Sequence, residues 1–175
     1  IVGATEKPGS IPGIILKNLL SMGFKGKIYP VNPKYETVFG LNCFPSILDI
    51  PDEVALTVIA IPAPWVLDVL QQQAHKRIHH AIIISAGFRE KGAEGIEMEE
   101  RIRRVAIEND MRILGPNCLG VLDNYTNFTT SFLSWERVSI PKKGSLSILS
   151  QSGAFAIALL DLAAQEGLGI AKMIN

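Results

Sequence analysis

Short runs of consecutive apolar, largely β-branched residues alternate along this chain with segments whose apolar residues recur at helical spacing. Lys27-Ile28-Tyr29-Pro30-Val31, Leu56-Thr57-Val58-Ile59-Ala60-Ile61 and Ala81-Ile82-Ile83-Ile84 are apolar on successive positions, the pattern of parallel strands covered on both faces. Met111-Arg112-Ile113-Leu114 is a shorter candidate of the same kind. A first helix is predicted after Ser10 as N-cap, with Pro12 near its first turn and Gly23 as its stop. Its Ile15, Leu16, Leu19 and Leu20 share one face. A second helix runs from Pro64-Trp65 to about Lys76. A third, over about 93–109, places Met98, Ile102, Val105 and Ala106 on one stripe, with Glu99/Arg103 and Glu100/Arg104 paired at i, i+4 on its wetter side. This alternation predicts right-handed βαβ units in an open, doubly wound parallel sheet of the α/β class.

Two stretches break the rhythm. Residues 35–52, with Gly40, Pro45 and Pro51, lack a long helical pattern and read as an irregular crossover. Residues 139–144, Ser-Ile-Pro-Lys-Lys-Gly, have linker composition. After them the pattern restarts, with a strand at 145–149, a turn at 150–153 and a helix at 154–165. The predicted organisation is a domain over 1–138, a linker over 139–144 and the opening strand–helix unit of a second α/β domain over 145–175.

Composition narrows the class. With 47% of 175 residues apolar, a packed core is expected. Lys plus Arg equals Asp plus Glu, 17 against 17, without the basic excess of a nucleic-acid-coating surface. Cys43 and Cys118 stand far apart with no CxxC or Cys/His cluster, which points away from a disulfide framework or metal site and toward a reducing cytosol. The longest apolar stretch, 54–70, is interrupted by Pro62, Pro64 and Asp68 and does not read as a membrane span. Ile1-Val2-Gly3 opens in mid-strand without an initiator Met, and residues 169–175 read as a strand cut short. A piece of a longer protein is expected.

The candidate chemistry lies at the carboxyl ends of the predicted strands, where ligands sit in such sheets. Gly3-Ala4-Thr5-Glu6-Lys7-Pro8-Gly9-Ser10 reads as a strand end, a glycine-bearing turn and a helix start, which together present backbone N–H groups to a phosphate. The glycines at 3, 9 and 13 do not form a G-x-G-x-x-G, so the turn also fits an ordinary strand–helix connection. About twenty residues on, an NAD-binding fold usually carries an acidic residue for the ribose. Here stand Val31-Asn32-Pro33-Lys34, and a cation suits a phosphorylated ribose such as that of coenzyme A. Three further strand ends, Ile61-Pro62-Ala63-Pro64, Ser85-Ala86-Gly87 and Gly115-Pro116-Asn117-Cys118, carry rigid, small or short polar residues that let a ligand lie against the backbone.

These segments, with Lys27–Tyr35, Ile84–Phe88, Leu114–Gly120 and Leu149-Ser150-Gln151-Ser152-Gly153-Ala154, resemble the coenzyme A-binding domain of the nucleoside-diphosphate-forming acyl-CoA synthetases. The resemblance is strongest to the ADP-forming acetyl-CoA synthetase α subunits and weaker to succinyl-CoA synthetase α. It implies a Rossmann-like CoA-binding domain followed by the start of a flavodoxin-like domain. It also implies interconversion of acyl-CoA, ADP and phosphate with carboxylic acid, CoA and ATP. By the resemblance, Gly3, Ala4, Thr5, Pro8, Gly9 and Ser10 would hold the CoA diphosphate, while Val31, Asn32, Pro33 and Lys34 would face the adenosine and 3′-phosphate. Ile61, Pro62, Ala63, Pro64, Ser85, Ala86 and Gly87 would line the pantetheine, and Asn117 and Cys118 would lie near the thiol. Ser150, Gln151, Ser152 and Gly153 would serve phosphate binding in the intact protein, at a helix N-terminus that Ser152 also caps. The resemblance further implies a phosphohistidine beyond Asn175, an ATP-grasp domain or subunit carrying ADP or ATP with Mg2+, an oligomeric cytoplasmic enzyme, and no catalytic residue or metal in this chain.

His75, His79 and His80 cluster near a predicted helix C-terminus, where cations are favoured; none matches the phosphorylated histidine. Cys118 reads as a small residue packed beside a strand end rather than a nucleophile. Two other readings use the same residues. One is an NADP-dependent oxidoreductase domain in which Lys34 takes the 2′-phosphate. The other is a CoA-binding regulatory module of a CoA-dependent acetyltransferase.

Overall fold

The computed structural model describes residues 1–133 and 140–175. The helices are α1 (Ile11–Met22), α2 (Val66–His75), α3 (Ala93–Glu108) and α4 (Gly153–Gln165). The strands are β1 (Thr37–Val38), β2 (Leu41–Asn42), β3 (Thr57–Ile59), β4 (His80–Ile83), β5 (Arg112–Leu114), β6 (Val121–Asp123), β7 (Phe128–Thr129), β8 (Lys143–Leu149) and β9 (Ile170–Ile174). By contacts the chain forms two compact units, one of Ile1–Glu6 and Ile28–Cys118, the other of Lys7–Lys27 and Leu119–Asn175.

In the first unit β3, β4 and β5 pair in parallel. Single parallel bridges extend this sheet from Ile59 to Val2, from Val2 to Val31 and from Val31 to Phe44. Across the sheet the order is Phe44, Val31, Val2, β3, β4, β5. Numbered along the chain this is 3-2-1-4-5-6, the order of a doubly wound dinucleotide-binding fold, with its topological switch at Val2. The predicted strand at 27–31 pairs only around Val31, where Val31 N donates to the Ile1 carbonyl at 2.8 Å and Gly3 N to the Val31 carbonyl at 2.9 Å. Pro30 has no N–H to extend that ladder. Val58, Ile59, Ala81, Ile82 and Ile83 are buried, as their consecutive apolar pattern requires.

α3 lays Met98, Ile102, Val105 and Ala106 on the core of this unit, the predicted stripe. Its expected i, i+4 pairs give way to other partners: Glu99 bonds Arg89 at 3.0 Å and Glu100 lies 3.7 Å from Arg103. One fully buried polar group, Gln73 of α2, is satisfied on three sides. It accepts from Thr57 Oγ1 at 2.5 Å and donates to the carbonyls of Ile78 and His80 at 3.0 and 3.1 Å, so its burial leaves no orphaned amide. The 35–52 stretch is more ordered than its sequence predicts. β1 and β2 form a hairpin with the two-residue loop Phe39-Gly40, and Ile47–Asp49 forms a 3-10 turn.

The second unit holds a mixed sheet of order β7-β6-β9-β8, with β8 and β9 parallel and β6 antiparallel to both its neighbours. Leu119, Leu122, Leu133, Ala156, Leu160, Ala163, Ile170 and Met173 form its core. In α1, Ile15, Leu16 and Leu19 are buried as predicted, but Leu20 is 39% exposed and Asn18 is buried in its stead. The Asn18 amide donates to the Ser131 and Leu133 carbonyls, each at 2.9 Å, which is what permits its burial. Of the predicted linker 139–144, Ser139 lies outside the described residues, as does the expected boundary at 138, while Lys143 and Gly144 open β8. Gly144 and Gly169 approach so closely that a Cβ on Gly144 would lie 2.3 Å from the Gly169 backbone.

Candidate functional site

The carboxyl ends of the parallel strands meet in a continuous rim, joined by backbone and short polar side chains. At its centre is Gly3, with φ +93° and room for no side chain: a Cβ there would lie 2.6 Å from the Ala60 carbonyl oxygen. Only glycine meets both demands without strain. On one side of it, Asn32 Nδ2 donates to the Ala4 carbonyl at 2.9 Å, and Asn32 Oδ1 accepts from Lys34 N–H at 3.0 Å. The loop after Val31 is thereby fixed by an Asx-type turn, leaving Lys34 exposed. Ala4 is buried, Pro33 is exposed, and Thr5 Oγ1 donates to the Tyr35 hydroxyl at 3.2 Å.

On the other side of Gly3, Ala60 N donates to the Val2 carbonyl at 3.1 Å and Ile84 N to the Ile59 carbonyl at 2.9 Å. Beyond these ladder bonds the strands would splay, and Ser85 holds them together. Its buried hydroxyl accepts from Ile61 N–H at 3.1 Å, and its carbonyl accepts from Asn117 N–H at 3.0 Å. Pro62 and Pro64 are exposed, and Ala63 is buried under Gly87, where a Cβ would stand 3.2 Å from that of Ala63. Ala86 is exposed. Gly87 N–H donates to the Glu90 carboxylate, and that bond, with those from the amides of Glu90 and Phe88, holds the Glu90 carboxyl below its usual range. Asn117, exposed and at φ 56°, adopts the left-handed conformation that asparagine tolerates. The Cys118 thiol donates to the Ile83 carbonyl at 3.5 Å.

The rim therefore brings together, within the first unit, Gly3, Ala4, Thr5, Val31, Asn32, Pro33, Lys34, Ile61, Pro62, Ala63, Pro64, Ser85, Ala86, Gly87, Asn117 and Cys118. Pro8, Gly9 and Ser10 fall in the second unit. There Ser10 occupies the N-cap of α1, but contrary to expectation its hydroxyl does not cap the helix and donates instead to the Lys7 carbonyl at 2.7 Å. Ser150, Gln151, Ser152 and Gly153 open α4 in the same unit. Ser152 caps the helix, accepting from Phe155 N–H at 3.3 Å, and Ser150 Oγ both accepts from Ser152 N–H at 3.1 Å and donates to its carbonyl at 3.0 Å. Asn175, unremarked in the sequence, pins this turn: its Nδ2 donates to the Ser150 carbonyl at 2.9 Å and its Oδ1 accepts from Leu119 N–H at 2.6 Å.

His75 ends α2, His79 Nδ1 lies 3.1 Å from the Asp110 carbonyl, and His80 begins β4, at the opposite end of that strand from Ser85. Among the described residues no group of three His, Cys, Asp or Glu could hold a metal ion, and no helix is long and apolar enough to cross a membrane. Sequence reasoning gave no role to Tyr35, whose signal was its place directly after Asn32-Pro33-Lys34.

A family model described as CoA binding domain matches residues 1–124. The whole chain is 41% identical, over 175 residues, to an ADP-forming acetate–CoA ligase of Methanocaldococcus jannaschii, and spans 24% of it. It is 37% identical, over 179 residues, to the alpha subunit of ADP-forming acetate–CoA ligase I of Pyrococcus furiosus, and spans 38% of that subunit. Among solved structures, the dinucleotide-forming acetyl-coenzyme A synthetase 1 of Ca. Korarchaeum cryptofilum, in complex with phosphate and ADP, matches the whole chain. The TM-score is 0.91 at 38% identity, and the match covers 36% of that protein's chain.

Proposed function

The chain belongs to the CoA-binding domain family, and from that premise we propose that its strand-end rim binds coenzyme A within an ADP-forming acyl-CoA synthetase. The observation that carries this reading is the switch-point geometry. Gly3 leaves the backbone bare for a diphosphate, the Asn32-braced loop offers Lys34 to a ribose phosphate, and Pro62 to Pro64 with Ser85 to Gly87 supply an apolar floor for pantetheine.

In this reading acyl-CoA and phosphate give acyl phosphate and free CoA; a histidine outside this chain takes the phosphoryl group and passes it to ADP. Acetyl-CoA is the thioester most in keeping with the relatives' names. Ser150 to Gly153, at the start of α4, face the phosphoryl group in the intact enzyme, and residues 145–175 begin a flavodoxin-like domain. Exposed Leu146, Leu149, Phe155 and Leu162 on β8 and α4 support further chain packing there. An ATP-grasp domain or partner subunit holds the nucleotide and its Mg2+, in an oligomeric cytoplasmic enzyme whose Cys43 and Cys118 stay reduced.

Calorimetric titration of the chain with CoA, NADP and NAD tests the assignment. CoA binds and both dinucleotides are silent, and the chain alone forms no ATP from acetyl-CoA, ADP and phosphate. Binding of NADP without CoA would replace this reading by the oxidoreductase one, in which Lys34 meets a 2′-phosphate.

A further inference from the structure

The turn that follows the first strand is tied at two points to residues 35–39, and one of the ties uses the hydroxyl of an exposed tyrosine. Thr5 Oγ1 donates to the Tyr35 hydroxyl at 3.2 Å, and Glu6 Oε1 accepts from Phe39 N–H at the hairpin tip. The tip is rigid in its own right, because Phe39 and Gly40 both take positive φ, 48° and 74°, as a two-residue type I′ loop requires. At its other end Tyr35 follows Lys34 directly, in the loop that Asn32 braces to Ala4. The side chain is thus held at both ends, by its backbone beside the proposed ribose-phosphate reader and by its hydroxyl on the proposed diphosphate turn. Yet its surface remains 43% exposed.

This tyrosine has its hydroxyl tied to Thr5 while the residue stays 43% exposed. Such a ring is a preorganised platform for a flat ligand, and the two neighbours that fix it are those proposed to hold the phosphates on either side of an adenosine.

We propose that the Tyr35 ring receives the adenine base of coenzyme A. The proposal rests on the CoA reading above. The competing explanation, that Tyr35 only ties the hairpin to the turn, makes the hydroxyl important and the ring face irrelevant.

Affinities of CoA, dephospho-CoA and 4′-phosphopantetheine for the native chain, Tyr35→Phe and Tyr35→Ala separate the two. Tyr35→Ala weakens CoA and dephospho-CoA to the same extent, by about 5- to 150-fold for one lost base–aromatic stack, and leaves phosphopantetheine, which has no base, unchanged. Tyr35→Phe keeps the ring and stays within about threefold of the native affinity, a range smaller than one stacking contact. An equal loss for phosphopantetheine and CoA, or a Tyr35→Phe as weak as Tyr35→Ala, overturns the proposal in favour of a structural tie. Unchanged CoA binding by Tyr35→Ala overturns it outright. If Tyr35→Ala does not fold, proton NMR of bound CoA decides. The adenine H2 and H8 resonances move upfield on the native chain and do not on Tyr35→Leu, whereas equal positions on both remove the ring from the base. Failure of the CoA reading itself is separate, because the native chain would then bind no CoA at all.

Discussion

Lys34 projects from a loop whose geometry is set by its neighbours and not by its own charge. Asn32 contributes both polar ends of its amide to that loop, one to Ala4 and one to the Lys34 amide. The cation is therefore presented from a fixed backbone, so the proposed contact with a ribose phosphate would cost little beyond ordering its own side chain. Lys34→Ala should weaken CoA by about 1.5–3 kcal/mol, the worth of one charge-assisted hydrogen bond, and leave dephospho-CoA nearly unchanged in the same titration. Equal weakening of both ligands would place the 3′-phosphate elsewhere. Gly3 shows the complementary logic, in which a side chain is excluded and the backbone is left bare for the proposed diphosphate.

At the scale of elements, the start of α3 is the tightest joint near the rim. The segment Arg89–Lys91 turns as a 3-10 helix directly onto α3, and Gly95 lies so close beneath Phe88 that a Cβ would stand 1.8 Å from the Phe88 carbonyl oxygen. Phe88 is fully buried and follows Ser85-Ala86-Gly87 without a break, so any shift of α3 is transmitted to the proposed pantetheine floor. Gly95→Ala gains about 1 kcal/mol of helix propensity but must displace backbone, and overpacking of this kind costs about 1–3 kcal/mol. Urea unfolding should show a net loss of stability, accompanied by weaker CoA binding. A gain near 1 kcal/mol would mean that α3 slides on the turn freely, and that the joint is not what positions the rim.

For the whole molecule, the division into two units sets where a ligand's influence should be felt. The rim belongs to the first unit, whereas β8 and α4 lie in the second. In hydrogen exchange, saturating CoA should slow the amides around 3–5, 61–65 and 85–88, because binding only the native state lowers the population of local openings there. Amides of β8 and α4 should exchange at their ligand-free rates. Protection confined to β8 and α4 would move the CoA site to the second unit.

The chain's local physics was legible in its sequence. Consecutive apolar residues at 57–59 and 81–83 announced buried parallel strands, and the 98-102-105-106 stripe announced the inner face of α3, because each depends on side-chain direction within a few residues. Pro12 and Gly23 marked the ends of α1 for the same reason. The small and rigid residues at the carboxyl ends of the strands lie along one rim in the first unit, because strand order and direction follow from the same apolar pattern. What only the tertiary structure decided are pairings between distant residues. Asn18 takes an inner position that Leu20 was expected to hold because the Ser131 and Leu133 carbonyls, more than a hundred positions away, satisfy its amide. The mixed pairing of β9 with β6 and β8, and the Thr5 to Tyr35 bond across thirty residues, have no local signature either. Backbone and side-chain preferences act over one or two turns of chain, whereas a partner across a sheet or a loop is chosen by the collapse that brings it near.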